Sequence, residues 1–157
     1  MQTNPNLESI VIRAAVAGDR EVFCQLVHTY YAEDHGVELN ENFSRTTFQT
    51  LLQDTTKGQI ILFEYEHKVA GYALIIPFWS NEYGGTLATI DELYVLPAAR
   101  QRGIARYFFQ WLKVAQPDAV GFQLEVQPHN HAALRLYQKL GFERDENVHL
   151  LISKMPF

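Results

Sequence analysis

The chain has 157 residues, 47% of them apolar and 20% charged, a globular composition at a length that suits a single domain. Its 13 Lys and Arg against 18 Asp and Glu give a net charge of -5, which argues against a general nucleic-acid or anionic-membrane binder. One cysteine excludes an internal disulfide and a Cys-rich zinc site, and the longest apolar runs fall far short of the ~20 residues of a membrane span. No basic, then apolar, leader opens the chain, so a cytoplasmic protein is expected.

In chain order, residues 1–8 read as a flexible terminus and residues 9–14 as a first strand. Asp19 is an N-cap candidate for a helix on which Phe23, Leu26, Val27 and Tyr30 recur at helical spacing. A second helix is predicted over 44–53. Residues 59–64 and 68–78 read as strands joined by a tight turn at Glu66 and His67, and their unbroken apolar runs call for cover on both faces of a sheet. Pro77 belongs near its strand's end, because it cannot donate to a ladder. Residues 80–86 form a loop, 87–95 a strand that Pro97 stops, and 120–126 another strand. Between these two strands, Ile104, Tyr107, Phe108, Trp111, Leu112 and Ala115 mark the clearest helix, ended by Pro117. Asn130 caps a helix carrying Ala133, Leu136, Tyr137 and Leu140, Gly141 sits where a C-terminal glycine belongs, and residues 148–153 make a last strand. The order is β-α-α-β-β-β-α-β-α-β: an α/β chain with a mixed sheet and helices on both faces, one domain over residues 1–157.

The chemistry gathers where the strand containing Asp91, Glu92, Leu93, Tyr94 and Val95 turns into the helix opening at Gly103. The first amides of a helix lack intrahelical partners and its dipole is positive there, so such an end binds phosphate. Gly103 lets a phosphate approach the backbone, Ala105 keeps the next turn slim, and Arg100, Arg102 and Arg106 add positive charge to an otherwise acidic chain. The same residues also fit a helix start whose arginines merely face water. A second strand-to-helix passage leads into Asn130, and Tyr137 lies two turns further along the same face. Two such passages form a cleft where their strands part, the usual place for a ligand in open α/β sheets. Alone, Asn130 reads equally as a cap and Tyr137 as a packed aromatic.

Together these residues resemble the GCN5-related N-acetyltransferase (GNAT) superfamily. Arg100-Gln101-Arg102-Gly103-Ile104-Ala105 matches its signature Q/R-x-x-G-x-G/A, with Ala in the last place. Asn130 through Tyr137 to Gly141-Phe142 is similar to its second signature, N-x(6)-Y followed by Gly-Phe. The resemblance runs from Ile10 to Met155. It implies the GNAT-like fold, acetyl-CoA as cosubstrate and a primary amine, small or peptidyl, as acceptor. It further implies that backbone near Leu93, Tyr94 and Val95 holds the pantetheine arm. The amides and side chains of Arg100, Gln101, Arg102, Gly103, Ile104 and Ala105 would hold the pyrophosphate, and Asn130 the pantetheine or phosphate region. Homodimers are common in the family. A non-catalytic acyl-CoA sensor or interaction module is the alternative.

An alkyl amine has a pKa of about 10.4 in water, so it must lose a proton before it attacks. Tyr137 matches the family's tyrosine and is the candidate acid for the leaving thiolate. Asp91 and Glu92 compete as the base. Being adjacent on a strand, they point to opposite faces unless a bulge intervenes, and the sequence leaves open which one acts, or whether water carries the proton instead. Tyr30, Tyr31, Glu33 and Asp34, and equally Phe78, Trp79 and Glu82, are candidates to line an acidic, aromatic acceptor pocket. No metal is expected. Cys24 and His28 share a helix face without a third ligand, and His129 and His131 point apart.

Overall fold

Ile60, Ile61, Leu62 and Phe63 follow one another without a polar residue between them, and all four are buried. Successive strand residues point to opposite faces, so such a run needs cover on both. That cover is seen in the computed structural model of the chain, which describes residues 9–34, 36–146 and 150–152. Its elements are β1 (Ile10–Ala14), a 3-10 turn (Ala17–Asp19), α1 (Arg20–Asp34), α2 (Glu41–Gln53), β2 (Gln59–Tyr65), β3 (Lys68–Ser80), β4 (Gly85–Val95), a second 3-10 turn (Pro97–Ala99), α3 (Ile104–Ala115), β5 (Gly121–Leu124) and α4 (His131–Lys139). The chain falls into two compact units divided after Glu125. The first holds everything through β5, and the second holds α4. Among the described residues, no helix is long and apolar enough to cross a membrane.

The sheet runs β1-β2-β3-β4-β5, antiparallel except for the parallel β4–β5 pair. The expected mixed α/β architecture is therefore observed. On one face, Ile60, Leu62, Tyr72, Leu74 and Tyr94 pack against Phe23, Leu26 and Val27 of α1 and Phe48 and Leu51 of α2. On the other, the Phe63 ring lies 5.1 Å from that of Phe108 on α3. In α3, Ile104, Phe108 and Leu112 recur every four residues and are buried.

The boundaries differ from expectation in instructive places. Asp19 does not cap α1 with its carboxylate. It ends the preceding 3-10 turn, accepts the Val16 N–H at 2.8 Å, and is gripped by two nitrogens of Arg13 at 2.7 and 3.0 Å. A paired guanidinium outbids a helix start for the same oxygens. The second helix begins at Glu41, not at 44, because Asn40 caps it by accepting the Asn42 N–H. β3 continues past Pro77 to Ser80, and β4 begins at Gly85, so the expected loop over 80–86 shrinks to a turn over 81–84. β2 stops opposite Ile75, and beyond it, among the described residues, β3 pairs only with β4, which leaves Pro77 on a strand edge. β5 is shorter than the predicted 120–126. Half of the expected last strand, residues 148, 149 and 153, lies outside the described residues; its residues 150–152 are described and lie in no strand. The turn at Glu66 and His67 is as expected, both residues having positive φ, at 51° and 64°.

Arg13 also reaches Glu64 at 2.6 Å, so one guanidinium joins β1, β2 and the entry to α1. The Asp19 carboxyl is held below its usual value, first by the hydrogen bond from Arg13 and then by the Val16 N–H, against an opposing cost of burial. A depressed carboxyl contributes stability that is full above the unfolded-state pKa of about 3.9 and is lost as pH falls through the lower folded-state value. Asp19→Asn is expected to lower the melting temperature at neutral pH, with the gap from wild type closing in acid. A gap that stays constant across the acid range, measured by calorimetry, would overturn this account.

Candidate active site

β4 pairs with β5 from Leu87 opposite Gly121 to Ile90 opposite Leu124, and there the pairing ends. β4 runs on to Val95 with β3 alone beside it among the described residues. At the parting the β3–β4 register shifts: Ile75 faces Ile90 but Leu74 faces Glu92, so Asp91 is the extra residue of a β-bulge. The simple alternation expected for Asp91 and Glu92 is therefore broken. Burial, and then the neighbouring Glu125 carboxylate, push the Asp91 carboxyl above its usual value.

Glu92 lies on the α1 face of the sheet. Its Oε1 accepts the Tyr31 hydroxyl at 2.8 Å, and its Oε2 accepts the Tyr72 hydroxyl at 2.7 Å. Both phenols are pushed well above their ordinary pKa, first by burial and then by the charge of Glu92. They therefore stay protonated and donate. The Tyr30 ring lies 5.2 Å from Tyr31, 6.5 Å from Tyr72 and 5.6 Å from Tyr94, so the carboxylate is set in an aromatic layer. Tyr94, opposite Tyr72 on the neighbouring strand, donates its hydroxyl to Glu33 of α1. Burial and that hydrogen bond raise its pKa to about 12.

Beyond Val95 the chain turns through Pro97–Ala99 and enters α3. Gln101 and Gly103 both take left-handed backbone, at φ 62° and 87°. The only other described non-glycine residues with positive φ are those of the β2–β3 turn, so the strain at Gln101 belongs to this corner. Gly103 stands at the N-cap with no side-chain cap, and its carbonyl takes the Tyr107 N–H at 2.9 Å. The first-turn amides of Ile104, Ala105 and Arg106 have no acceptor within the helix. A Cβ on Gly103 would meet nothing within 4 Å, so the chain is uncrowded at the position that opens α3. Arg102 and Arg106 are exposed, whereas Ile104 points into the core. Arg100, expected on a phosphate, is engaged within the protein. Its Nε donates to the Val95 carbonyl at 2.9 Å, its Nη2 meets Glu33 at 2.9 Å, and its guanidinium lies 5.7 Å from the Tyr94 ring centre. Leu93 opposite Ala73 completes the β4 stretch.

Asn130 and Tyr137 lie in the second unit. Asn130 caps α4 as expected, its side chain accepting the Ala133 N–H at 3.1 Å. After α4 the Gly141 N–H bonds the Gln138 carbonyl and the Phe142 N–H bonds that of Tyr137, with Gly141 at φ 93°. This is a Schellman stop, and the 5.8 Å Tyr137–Phe142 ring contact is its hydrophobic partner pair. The Gly-Phe that follows the tyrosine thus has a local structural reason.

Sequence reasoning missed Tyr72. A lone tyrosine inside a buried apolar strand has to place its hydroxyl on a partner, and that signal pointed to a buried acceptor. It also missed that the Tyr94 phenol is engaged, donating to Glu33. Phe78, Trp79 and Glu82 are exposed at the turn end of β3 and β4, where Phe78 lies opposite Leu87, five residues before Glu92 on β4.

The family model described as "Acetyltransferase (GNAT) family" matches residues 24–142. Among solved structures, one described as a "possible acetyltransferase" from Clostridium difficile 630 shares 26% identity at a TM-score of 0.81, covering 93% of this chain and 99% of that one. An integron cassette protein from the Cole Harbour Salt Marsh metagenome shares 26% identity at 0.80, covering 92% and 91%. The aminoglycoside N-acetyltransferase AAC(6')-Iy, solved in complex with CoA, shares the fold at 18% identity and a TM-score of 0.75, covering 93% and 95%. A comparison with curated protein sequences finds no match.

Because the Glu33 carboxylate helps hold the Tyr94 phenol up, removing its charge should bring that phenol down. Glu33→Gln is expected to lower the Tyr94 titration midpoint below about 12, read by ultraviolet titration against the same variant carrying Tyr94→Phe. An unchanged midpoint would show that burial alone sets it.

Proposed function

Since the chain belongs to the acetyltransferase (GNAT) family, we propose that it is an N-acetyltransferase that moves an acetyl group from acetyl-CoA to a primary amine by direct attack while both substrates are bound. One observation carries this reading: β4 parts from β5 after Ile90 and runs into an uncapped, uncrowded helix start at Gly103. The stretch over 91–95 offers strand backbone to an extended arm, and the amides of Ile104, Ala105 and Arg106 suit a pyrophosphate. The side chains of Arg102 and Arg106 add charge from the exposed rim. The same-fold enzyme solved with CoA supports the class of cosubstrate and says nothing of the acceptor here.

Acetyl-CoA supplies a thioester whose carbon accepts the amine nitrogen, forming the C–N bond as the C–S bond breaks. A cationic amine is drawn by Asp91, Glu92 and Glu125. Glu92 takes the amine's proton from its place between the Tyr31 and Tyr72 hydroxyls. Asp91, whose raised pKa reflects burial and Glu125, adds attraction from the bulge. Backbone amides over 93–95 steady the carbonyl oxygen as it gains charge. A phenol has a pKa near about 10, so Tyr137 is suited to protonate the departing thiolate.

Acetyl-CoA and CoA are each expected to raise the melting temperature by mass action. Gly103→Val should abolish that rise, since the side chain is added at the position that opens α3, at a backbone cost of about 1–2 kcal/mol for φ 87°. Calorimetry showing CoA bound to this variant as tightly as to wild type would sink the phosphate assignment. With an amine found by panel assay, Tyr137→Phe should lower kcat by roughly 10–100-fold with little change in the acetyl-CoA KM. A kcat within about twofold of wild type would leave Tyr137 as a packing residue.

A further inference from the structure

Two hydroxyl hydrogens accepted by a carboxyl group, one on each oxygen, favour its ionised form, because hydrogen bonds to the charged acceptor are the stronger ones. Glu92 is such a carboxylate, and its two donors are not equivalent. Tyr72 is fully buried on β3 and belongs to the packed core. Tyr31 comes from the last turn of α1 and is only partly buried. Tyr72 is therefore a fixed donor. Tyr31 is the donor that can release its hydrogen bond and turn its hydroxyl when Glu92 takes a proton.

From this we infer that Tyr31 is a positioning residue for acyl transfer, holding Glu92 ionised and aimed through its hydroxyl so that the carboxylate can receive the acceptor's proton. This rests on the acetyltransferase reading and adds to it a residue that carries no part of the coenzyme site. The proton passes from the attacking nitrogen to a Glu92 oxygen. The Tyr31 hydroxyl then accepts from that new O–H, and its own hydrogen turns away. No electron pair leaves the protein, and loss of the proton to solvent restores the starting pair. The titratable groups that face Glu92 include Tyr30 and Tyr31 from α1, Tyr72 from β3, and Asp91 beside it on β4, itself next to Glu125. The two phenols are held up by burial, so across the working range they act as donors and do not compete for the proton.

The test pairs a readout that needs no turnover with one that does. Protein labelled at glutamate carboxyl carbons is titrated by NMR, with the Glu92 signal identified by its loss in Glu92→Gln. Removing one donor to a carboxylate favours its protonated form. Tyr31→Phe should therefore raise the Glu92 midpoint by about one to two pH units, and Tyr72→Phe should move it in the same direction. In the same Tyr31→Phe variant the acid limb of kcat/KM for an identified amine should shift upward by the same amount, with CoA affinity unchanged. In a Glu92→Gln background, Tyr31→Phe should add no further loss. An unmoved midpoint overturns the proposal, as does a midpoint that moves without the limb. A full additional loss in the Glu92→Gln background would assign Tyr31 to direct substrate contact and overturn it as well. If CoA binds and the midpoint responds but no amine is acetylated, the acetyltransferase reading fails and this role fails with it. If CoA binds, amines are acetylated and only Tyr31→Phe is silent, the reading stands and the role alone is lost.

Discussion

The rest of the site depends on how one carboxylate survives in an aromatic layer. A carboxylate that leaves water for apolar surroundings is costly unless its oxygens are bonded. Glu92 stands on β4 among Tyr30, Tyr31, Tyr72 and Tyr94, and its two oxygens are met by Tyr31 and Tyr72. Because those phenols come from a helix and a strand, satisfying Glu92 also docks the last turn of α1 over β3 and β4. Charge-assisted hydrogen bonds of this kind are worth about 1.5–3 kcal/mol each, comparable with burying a large apolar side chain. The polar contacts are thus as much a part of α1 docking as Phe23, Leu26 and Val27 are at its other end.

A second constraint acts along β4. Its partner β5 ends at Leu124, opposite Ile90, and the bulge at Asp91 follows at once. A bulge bends the strand and increases its twist, so β4 turns away at the point where pairing stops. Among the described residues no strand pairs with the next residues on that side, so their outward backbone groups, apart from the Val95 carbonyl that Arg100 meets, are left to water or a ligand. The same chain segment leads within a few residues to Gly103 and the uncapped first turn of α3. Open strand edge and open helix start are therefore consecutive pieces of one segment, which is the arrangement needed for a ligand with an extended arm and a phosphate end.

Much of this was legible in the sequence because the responsible signals are local. The α3 helix announced itself by apolar residues at helical spacing, the tight turn by its position between two apolar runs, and the two ends of α4 by Asn130 and Gly141. What escaped was set by distant partners. Asp19 looked like a cap until Arg13, six residues back, claimed its oxygens. The bulge at Asp91 depends on register against β3, which no spacing within β4 reveals. Tyr72 looked like one more apolar residue of its strand, although its hydroxyl required a partner that only the fold could supply. The pairing of Tyr31 with Glu92 spans 61 positions in sequence and leaves no periodic trace.

Arg100 shows how the two constraints meet. Tyr31 and Glu33 stand two residues apart on α1; one engages Glu92, and the other engages Arg100 and Tyr94. Glu92 and Tyr94 are likewise two apart on β4, so they share a face and match the spacing of the helix residues above them. The last turn of α1 is thereby tied both to the carboxylate and to the corner that leads into α3. The two ties differ in kind. The Arg100–Glu33 pair is about half exposed, and such pairs are worth only about 0–1 kcal/mol, so a phosphate that binds a guanidinium through two charge-assisted bonds competes well for it. The phenol bonds to Glu92 are part-buried and involve neither Arg100 nor Glu33. The Arg100–Glu33 contact can therefore be broken without loss of the Nε bond to the Val95 carbonyl or of the two phenol bonds on Glu92, none of which depends on it.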